Sequence, residues 1–300
     1  MENLVELINK RKREINGIII AHYYQLPEIQ DVADFVGDSL QMARQAADTD
    51  ADVIVVCGVR FMAESAKILS PEKTVILPQL DAGCPLADTI SARDLKELKD
   101  RHPDAVVVCY VNSSAEVKAE SDICCTSANA VQVVQSIPED KTIIFVPDRN
   151  LGAYVQEKTG RDMILWQGCC PVHDALRSSQ VEEQMKQYQD TELLVHPECR
   201  PEVTQVASKV CSTGGMLKYV KDSSCQRFII GTEKDFLYSL KKQCPDKEFI
   251  LAPGEFECPD MKLISLSKLA QAMATLENKI EIPVDIQKKA YQSVKRMLDI

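Results

Sequence analysis

The stretch Ile18–His22 (IIIAH) decides how the rest of this sequence is interpreted, because its plan occurs twice more. Val106–Tyr110 (VVVCY) and Leu193–His196 (LLVH) are likewise short apolar runs that end in a polar side chain. His22 and Tyr110 are 88 residues apart, and Tyr110 and His196 are 86 residues apart. A period of this length indicates duplicated structural units.

Within each repeat, the same series of patterns follows the first apolar run. A hydroxyl residue stands 17 positions after the polar end of each run and opens a helical pattern, so we expect helix N-caps at Ser39, Ser127 and Thr213. Two further apolar runs follow in each repeat, as expected for parallel strands covered on both faces. These runs are Val53–Val56 and Val75–Leu77, Ile143–Val146 and Met163–Trp166, and Phe228–Ile230 and Phe249–Leu251.

A cysteine follows the third apolar run of every repeat. Cys84, Cys170 and Cys258 stand 62, 60 and 62 residues after the polar ends of their first runs, and each is followed directly by proline. Proline fixes the chain in a turn or loop at all three places. Cys169 offers a second thiol beside Cys170, but the spacing and the proline both favour Cys170.

Strands that alternate with helices predict an α/β fold with parallel sheets. We expect three three-layer αβα units related by a pseudo-threefold axis around a central active site, because ligands bind at the carboxyl ends of such strands. Residues 1–103 form the first unit with an N-terminal helix, 104–189 the second, and 190–300 the third with closing helices. The closing helices are predicted at Leu263–Leu276 and Asp285–Leu298, separated by Pro283.

Composition excludes several classes of protein. With 45% hydrophobic and 27% charged residues, and with apolar runs far below the roughly 18 residues of a membrane span, the sequence is that of folded domains. A net charge of -10 opposes binding to a phosphate backbone, so we expect neither a nucleic acid nor a membrane partner. Met1–Lys12 is amphipathic and lacks the apolar core of a signal peptide, which favours a cytoplasmic location.

Twelve cysteines in a reducing compartment are more often core residues, metal ligands or reactive groups than disulfides. Free cysteine packs as a small hydrophobic residue, and we expect five of the twelve to fill the core. Three thiolates leave a structural zinc site incomplete, but they suit an iron–sulfur cluster with one open iron, which would act as a Lewis acid. The expected core cysteines are Cys57, Cys109, Cys124, Cys225 and Cys244.

The polar ends of the first runs are candidates for the chemistry. His22 and His196 hold the same place in two repeats, and Glu198 follows His196 by two residues, so this pair could transfer protons. Tyr110 and Asn112 stand at the matching place in the second repeat and would contribute uncharged hydrogen bonds to recognition. The three hydroxyl residues at predicted helix starts would attract a carboxylate or phosphate.

Taken together, these motifs resemble those of the quinolinate synthases, an iron–sulfur enzyme family of NAD biosynthesis. The resemblance spans the chain and is specific as a set. It depends on Ala21–Gln25 (AHYYQ), Gly37–Ser39 (GDS), Cys57–Glu64 (CGVRFMAE), Gly83–Pro85 (GCP), Tyr110–Asn112 (YVN), Thr126–Ala130 (TSANA), Gly168–His173 (GCCPVH), His196–Glu198 (HPE), Ser212–Met216 (STGGM) and Glu257–Pro259 (ECP).

The resemblance implies an enzyme that condenses iminoaspartate with dihydroxyacetone phosphate to quinolinate and releases phosphate and water. It also implies a [4Fe–4S] cluster held by the three cysteines that precede proline, and it leaves open a functional coupling to an aspartate-oxidising enzyme. Carried over to this sequence, it assigns catalytic roles to Tyr24, His196 and Glu198. It assigns substrate contacts to His22, Ser39, Tyr110, Asn112, Ser127, His173, His196, Glu198 and Thr213.

Two other functions fit part of the pattern. A metal-binding or redox-sensing protein would explain the cysteines but not the histidine, glutamate and hydroxyl positions. An iron–sulfur hydro-lyase acting on a small hydroxy acid would also use an open iron beside a base. The metal content and the reaction product distinguish the three.

Overall fold

The protein contains three four-stranded parallel sheets, each flanked by helices, in a computed structural model that describes residues 2–300, with side chains from residue 4 onward. Met1, at the start of the amphipathic segment Met1–Lys12, lies outside the described residues. Each sheet has the same order of strands, in which the first strand lies between the second and the third. The predicted α/β class with three αβα units and C-terminal helices is confirmed.

The first sheet has the order β2-β1-β3-β4. Its central strand β1 pairs with β3 so that Ile20 lies opposite Val56, and all of β3 and the last four residues of β1 are buried. The elements of this part of the chain are α1 (Glu2–Glu14), β1 (Gly17–His22), α2 (Pro27–Val32), β2 (Phe35–Gly37), α3 (Ser39–Asp48), β3 (Val53–Cys57), α4 (Arg60–Leu69), β4 (Thr74–Ile76) and α5 (Ala92–Arg101).

The second sheet repeats this order as β6-β5-β7-β8, with Val107 opposite Ile144 in the central pair. Its elements are β5 (Val106–Tyr110), α6 (Ala115–Ala119), β6 (Ile123–Cys125), α7 (Ala130–Gln135), β7 (Ile143–Val146), α8 (Arg149–Thr159), β8 (Ile164–Leu165), α9 (Pro171–Asp174) and α10 (Ser178–Gln187).

The third sheet has the order β10-β9-β11-β12, with Ile229 opposite Leu193. Its elements, and those that follow, are β9 (Glu192–Val195), α11 (Pro201–Val206), β10 (Lys209–Val210), α12 (Thr213–Asp222), β11 (Arg227–Gly231), α13 (Phe236–Gln243), β12 (Glu248–Leu251), α14 (Leu266–Thr275) and α15 (Val284–Leu298). The two closing helices therefore form where they are predicted, and Pro283 directly precedes the second.

Each sheet has an edge strand that the sequence pattern does not reveal. β2, β6 and β10 have only three, three and two residues, too few to display a periodicity. A polar residue just before each one accepts a hydrogen bond from the backbone N–H of the first strand, always from a residue 15 positions earlier. These contacts are Asp34 with Ile19, Asp122 with Val107, and Ser208 with Leu193.

The predicted helix caps are wrong by one or more residues. The N-cap of α3 is Asp38, whose Oδ1 accepts a hydrogen bond from the N–H of Gln41 at 3.0 Å. The N-cap of α12 is Ser212, and that of α7 is Asn129. Ser39 and Thr213 are instead the first helical residues, and Ser127 lies in the turn before α7. Neighbouring side chains therefore cap α3 and α12, Asn129 makes no side-chain cap hydrogen bond, and the three predicted hydroxyls cap none of these helices.

In the part of the chain that the structure describes, the buried hydrophobic residues form one large cluster and two smaller ones. The large cluster joins the first and second sheets to α14 and α15, because α14 packs against α1 and α15 packs against α4, α6 and β6. The third sheet has a separate cluster on each face. Of the cysteines predicted to fill the core, four are buried, but Cys225 is partly exposed, in the loop before β11. Among the described residues, no helix is both long and apolar enough to cross a membrane.

Candidate active site

A cleft of about 660 Å³, including the solvent at its mouth, opens where the carboxyl ends of the central strands meet. β1 ends at His22, β5 ends at Tyr110, and His196 follows β9. All the predicted site residues line this cleft, although their roles stay predictions. They are His22, Tyr24, Ser39, Cys84, Tyr110, Asn112, Ser127, Cys170, His173, His196, Glu198, Thr213 and Cys258.

The strand order explains why the cleft lies here. In each sheet the chain passes from the first strand to the second on one side, and then to the third on the opposite side of the first. The loops that follow the first and third strands therefore run in opposite directions. Such switch points leave a crevice at the edge of a parallel sheet. Three crevices that face one another form the single cleft.

Each sheet contributes one cysteine to the cleft, from the loop after its last strand. Burial raises the pKa of the Cys84 thiol to about 12 and that of Cys258 to about 11, and it raises the pKa of Cys170 as well. These thiols therefore ionise when a cation binds them, since metals coordinate the thiolate. The donor set fits an iron–sulfur cluster, whose ligands are thiolates.

Buried carboxylates support the loops that carry these cysteines. Asp148, in the loop after β7, accepts a hydrogen bond from the N–H of Cys170 at 3.2 Å. Glu233, in the loop after β11, accepts one from the N–H of Cys258 at 3.4 Å. The corresponding loop after β3 has no carboxylate at this place, and Asp260 instead accepts from the N–H of Gly83, next to Cys84, at 3.1 Å.

A second group of potential ligands overlaps with the first. Among the described residues, Cys170, His173 and Glu198 bring their ligand atoms within 4.8 Å of one another. His173 Nδ1 lies 2.7 Å from Glu198 Oε2 and 3.3 Å from Cys170 Sγ. His173 therefore lies between the thiol of Cys170 and the carboxylate of Glu198 and is within hydrogen-bonding distance of both.

Glu198 is the centre of the charged groups in the cleft. Burial alone would raise its pKa, but its imidazole neighbours, His196 and His173, outweigh burial and hold the pKa of Glu198 well below the usual value. Burial lowers the pKa of His196, and Glu198 opposes this shift. The arrangement is an ionised carboxylate beside a largely neutral imidazole, which can accept a proton.

The first and second sheets add aromatic and imidazole groups. Burial, reinforced by His196, lowers the pKa of His22 to about 3, so this ring is neutral. The N–H of Tyr24 donates to His22 Nδ1 at 3.2 Å, which leaves the ring proton on Nε2. Burial and the charge of Glu198 raise the pKa of both Tyr24 and Tyr110, so both phenols keep their protons.

The uncharged groups have few partners within the protein. His196 Nε2 lies 3.1 Å from Ser127 Oγ. Asn112 Nδ2 donates to Glu198 Oε1 at 3.4 Å, while the buried Oδ1 of Asn112 has no hydrogen-bond partner among the described residues. A buried amide oxygen without a partner is costly, and a ligand that donates a hydrogen bond would satisfy it.

Sequence reasoning missed the residues after the third strands of the second and third sheets, Asp148, Thr232 and Glu233. Thr232 is fully buried and lies between Tyr24 and His173. Their common place, directly beyond a buried strand at the same edge as the first strands, is a signal that could have found them. The residue types differ between the repeats at this place, so similarity between repeats does not reveal them.

Comparison with known proteins agrees with this geometry. A family model described as quinolinate synthetase A protein matches residues 6–299. The chain belongs to the quinolinate synthase family. The quinolinate synthase of Desulforudis audaxviator is 52% identical over 297 residues, which cover 99% of this chain and 98% of that one. That of Geotalea uraniireducens is 53% identical over 287 residues, covering 96% and 94%.

A further relative and a solved structure were also compared with this chain. The quinolinate synthase of Methanosarcina barkeri is 46% identical over 297 residues, which cover 99% of this chain and 97% of that one. A solved structure of E-1-hydroxy-2-methyl-but-2-enyl-4-diphosphate reductase from Plasmodium falciparum aligns over 98% of this chain and 86% of that one, with 11% identity and a TM-score of 0.33. A score this low does not establish a shared fold. The prediction of an enzyme of the quinolinate synthase family is confirmed.

Proposed function

We propose that this chain forms quinolinate by condensing iminoaspartate with dihydroxyacetone phosphate, with release of phosphate and water. Cys84, Cys170 and Cys258 would hold a [4Fe–4S] cluster as its three protein ligands. When bound, a cluster with one open iron supplies a Lewis acid that polarises a substrate oxygen or nitrogen.

The hydroxyl residues of the cleft would hold the anionic groups of both substrates. Ser39 and Thr213 begin the ten-residue helices α3 and α12, and their hydroxyls are not used as caps. Helix N-termini attract carboxylate and phosphate. Ser127 would add a third hydroxyl beside His196, its hydrogen-bond partner at 3.1 Å.

Glu198 with His196 would abstract the proton that precedes loss of water. Glu198 is ionised and buried, and the neighbouring imidazole can share the proton it removes. Asn112 would orient the substrate, because its free Oδ1 accepts a hydrogen bond from an imine N–H or a hydroxyl. Tyr24 would position or exchange protons with the intermediates, and His22, Tyr110 and His173 would complete the substrate contacts.

The observation that carries this proposal is the meeting of three cysteines, one from each sheet, with a Glu–His pair at one cleft. Its test is to purify the protein without oxygen, record the visible spectrum with iron and sulfide content, and assay quinolinate formation from the two substrates. We expect a band near about 400 nm, about four iron and four sulfide per chain, and quinolinate as the product.

Other outcomes would replace the proposal. A colourless protein that binds zinc after anaerobic reconstitution would favour a metal-binding function, for which Cys170, His173 and Glu198 are the nearest ligands. An iron–sulfur protein that dehydrates a hydroxy acid but forms no quinolinate would favour the hydro-lyase. A cytoplasmic location and coupling to an aspartate-oxidising enzyme stay predictions.

A further inference from the structure

Lys262 joins loops that come from two different sheets, at the edge of the cleft. It lies four residues after Cys258 in the chain, and its side chain is 13% exposed. Its Nζ donates to the carbonyl oxygen of Tyr24 at 2.6 Å and lies 2.7 Å from Oε1 of Glu233. It also forms an ion pair with Asp235. One ammonium group therefore binds both the loop after β1, in the first sheet, and the loop after β11, in the third.

These contacts use all the donors that Lys262 has. An ammonium group has three N–H bonds, and Lys262 directs them at one carbonyl and two carboxylates. In the part of the chain that the structure describes, the residues that line the cleft include Met261 but not Lys262. Lys262 therefore holds groups of the protein and has no donor left for a substrate.

Glu233 extends the contact to the loop of Cys258. Glu233 is fully buried, its Oε1 also accepts a hydrogen bond from the N–H of Cys258 at 3.4 Å, and its Oε2 accepts one from the N–H of Asp235 at 2.9 Å. A buried carboxylate needs a partner of opposite charge, since an isolated charge in the interior is costly. Lys262 is that partner, so Tyr24 and the loop of Cys258 are held by the same group.

We propose that Lys262 is a positioning residue that fixes Tyr24 at a set distance from the loop that carries Cys258. The side chain of Tyr24 lines the cleft, while its carbonyl lies on the ammonium group. The side-chain amide of Gln25 donates to the carbonyl of Met261 at 2.9 Å and holds the next residue in place. Loss of the ammonium group should therefore displace Tyr24 without unfolding its loop. This inference rests on the proposed function and adds to it a residue that acts from outside the cleft.

The test compares two lysine variants for quinolinate formation. Lys262→Met removes the charge and keeps much of the length of the side chain. Lys12→Met is the matched control, because the side chain of Lys12 is similarly buried, at 17% exposed, and pairs at 2.6 Å with Asp34, which does not line the cleft. We expect Lys262→Met to lower kcat about 10–100-fold with little change in KM, since a misplaced group costs rates of this order. The control should stay within about threefold of the wild type, and both variants should keep the absorption band of the cluster.

A second pair of variants separates the loss of position from the burial of a charge. Lys262→Met leaves the carboxylate of Glu233 without its cation, which lowers stability. Glu233→Gln removes that charge, so Lys262→Met is also made in this background. There it should again lower kcat about 10–100-fold relative to Glu233→Gln alone, with KM little changed. Equal kcat values with and without Lys262, or an effect on KM alone, would overturn the inference.

Amide hydrogen exchange of the protein, purified without oxygen, tests the position of Tyr24 without turnover. In Lys262→Met the amides of Tyr24 and Asp235 should lose about tenfold of their protection, because each lies next to a contact of the ammonium group, whereas Lys12→Met should keep it. Unchanged protection at Tyr24 would overturn the inference. If the wild type forms no quinolinate but exchange changes as expected, the proposed function fails and the placement of Tyr24 by Lys262 stands. If the wild type is active and Lys262→Met equals it, this inference alone fails.

Discussion

The first two sheets and the third have the same strand order but differ in how their hydrophobic cores are arranged. The first and second sheets share one continuous hydrophobic cluster, which α14 and α15 close. The third sheet has its own cluster on each face, with Leu194, Phe228 and Ile230 on one side and Leu193 and Ile229 on the other. The same strand order can therefore serve either as part of a common core or as a nearly independent layer.

Both polar and apolar contacts cross the boundary between the third sheet and the rest. Ser212 donates to Asp38 Oδ2 at 3.1 Å, and Ser239 donates to Gln30 Oε1 at 2.6 Å. Tyr23 provides an apolar contact, since its ring centroid lies 5.4 Å from that of Phe236. The cleft lies along this boundary, so Glu198 and Thr213 face groups of the other sheets across it.

The cysteines of the cleft span both regions, and removing one should have the largest effect. We expect Cys84→Ala to lose both the absorption near about 400 nm and quinolinate formation, because two thiolates do not retain a cluster. Cys258→Ala, from the third sheet, should do the same. Cys225→Ala, which changes a partly exposed cysteine outside the cleft, is the control and should keep both. Full activity in Cys84→Ala would contradict the assignment of the ligands.

Two buried phenylalanines test whether the cores are separate. Phe145 lies in β7 within the shared cluster, and Phe228 lies in β11 within the third sheet. Each replacement by alanine should cost about 3–5 kcal/mol. We expect Phe228→Ala to lower amide hydrogen-exchange protection mainly in β9–β12, and Phe145→Ala to lower it across the shared cluster, in β1–β8, α14 and α15. A uniform loss across all three sheets in both variants would show one cooperative unit.

Asp174 is a strong polar link between the second and third sheets. Its carboxylate accepts hydrogen bonds from Arg149 at 3.1 Å, Asn150 at 2.9 Å and Arg200 at 2.6 Å. Asp174→Ala should lower the free energy of opening of the third sheet by about 2 kcal/mol, as expected for bonds between charged groups. Amide hydrogen exchange of β9 and β11 measures this change. Asp174→Asn should lower the free energy of opening by less than Asp174→Ala does. Unchanged protection would mean that other contacts hold the third sheet.

The smallest effect is expected at Asp31, in α2, whose exposed carboxylate accepts hydrogen bonds from Tyr238 and Lys242 of α13. The hydrogen bond from Lys242, together with that from Tyr238, lowers the pKa of Asp31 below its usual value of 3.8. The resulting stability is present above the unfolded pKa and is lost as the pH falls through the folded one. Because the pair is half-exposed, Asp31→Asn should cost less than about 1 kcal/mol at pH 7.

Urea unfolding across the pH range tests this link. The difference between Asp31→Asn and the wild type should shrink below the pKa of Asp31. Asp50→Asn, which changes an exposed carboxylate elsewhere near the first sheet, is the control for the loss of a surface charge. If Asp31→Asn lowered the free energy of unfolding by the same amount at every pH, the contribution of the Asp31 charge would be contradicted.

Much of the fold could be predicted because its signals are local and repeated. The long strands are buried apolar runs, and Cys84, Cys170 and Cys258 share a spacing and a following proline. Edge strands of two or three residues, such as β10, are too short to show a periodicity. The helix caps were misplaced because hydroxyl residues adjoin one another or other capping residues, as at Ser212 and Thr213, and only the backbone conformation distinguishes them.

By itself, the sequence determined the three repeats, the parallel strands, the cysteines and the polar side chains that reach the cleft. These follow from chain-local patterns, and parallel strands bring their carboxyl ends to one edge wherever they form. Only the tertiary structure decided that two sheets share a core while the third does not, and that Thr232 lies between Tyr24 and His173. Those relations join residues far apart in the chain, so they depend on how the sheets pack against one another.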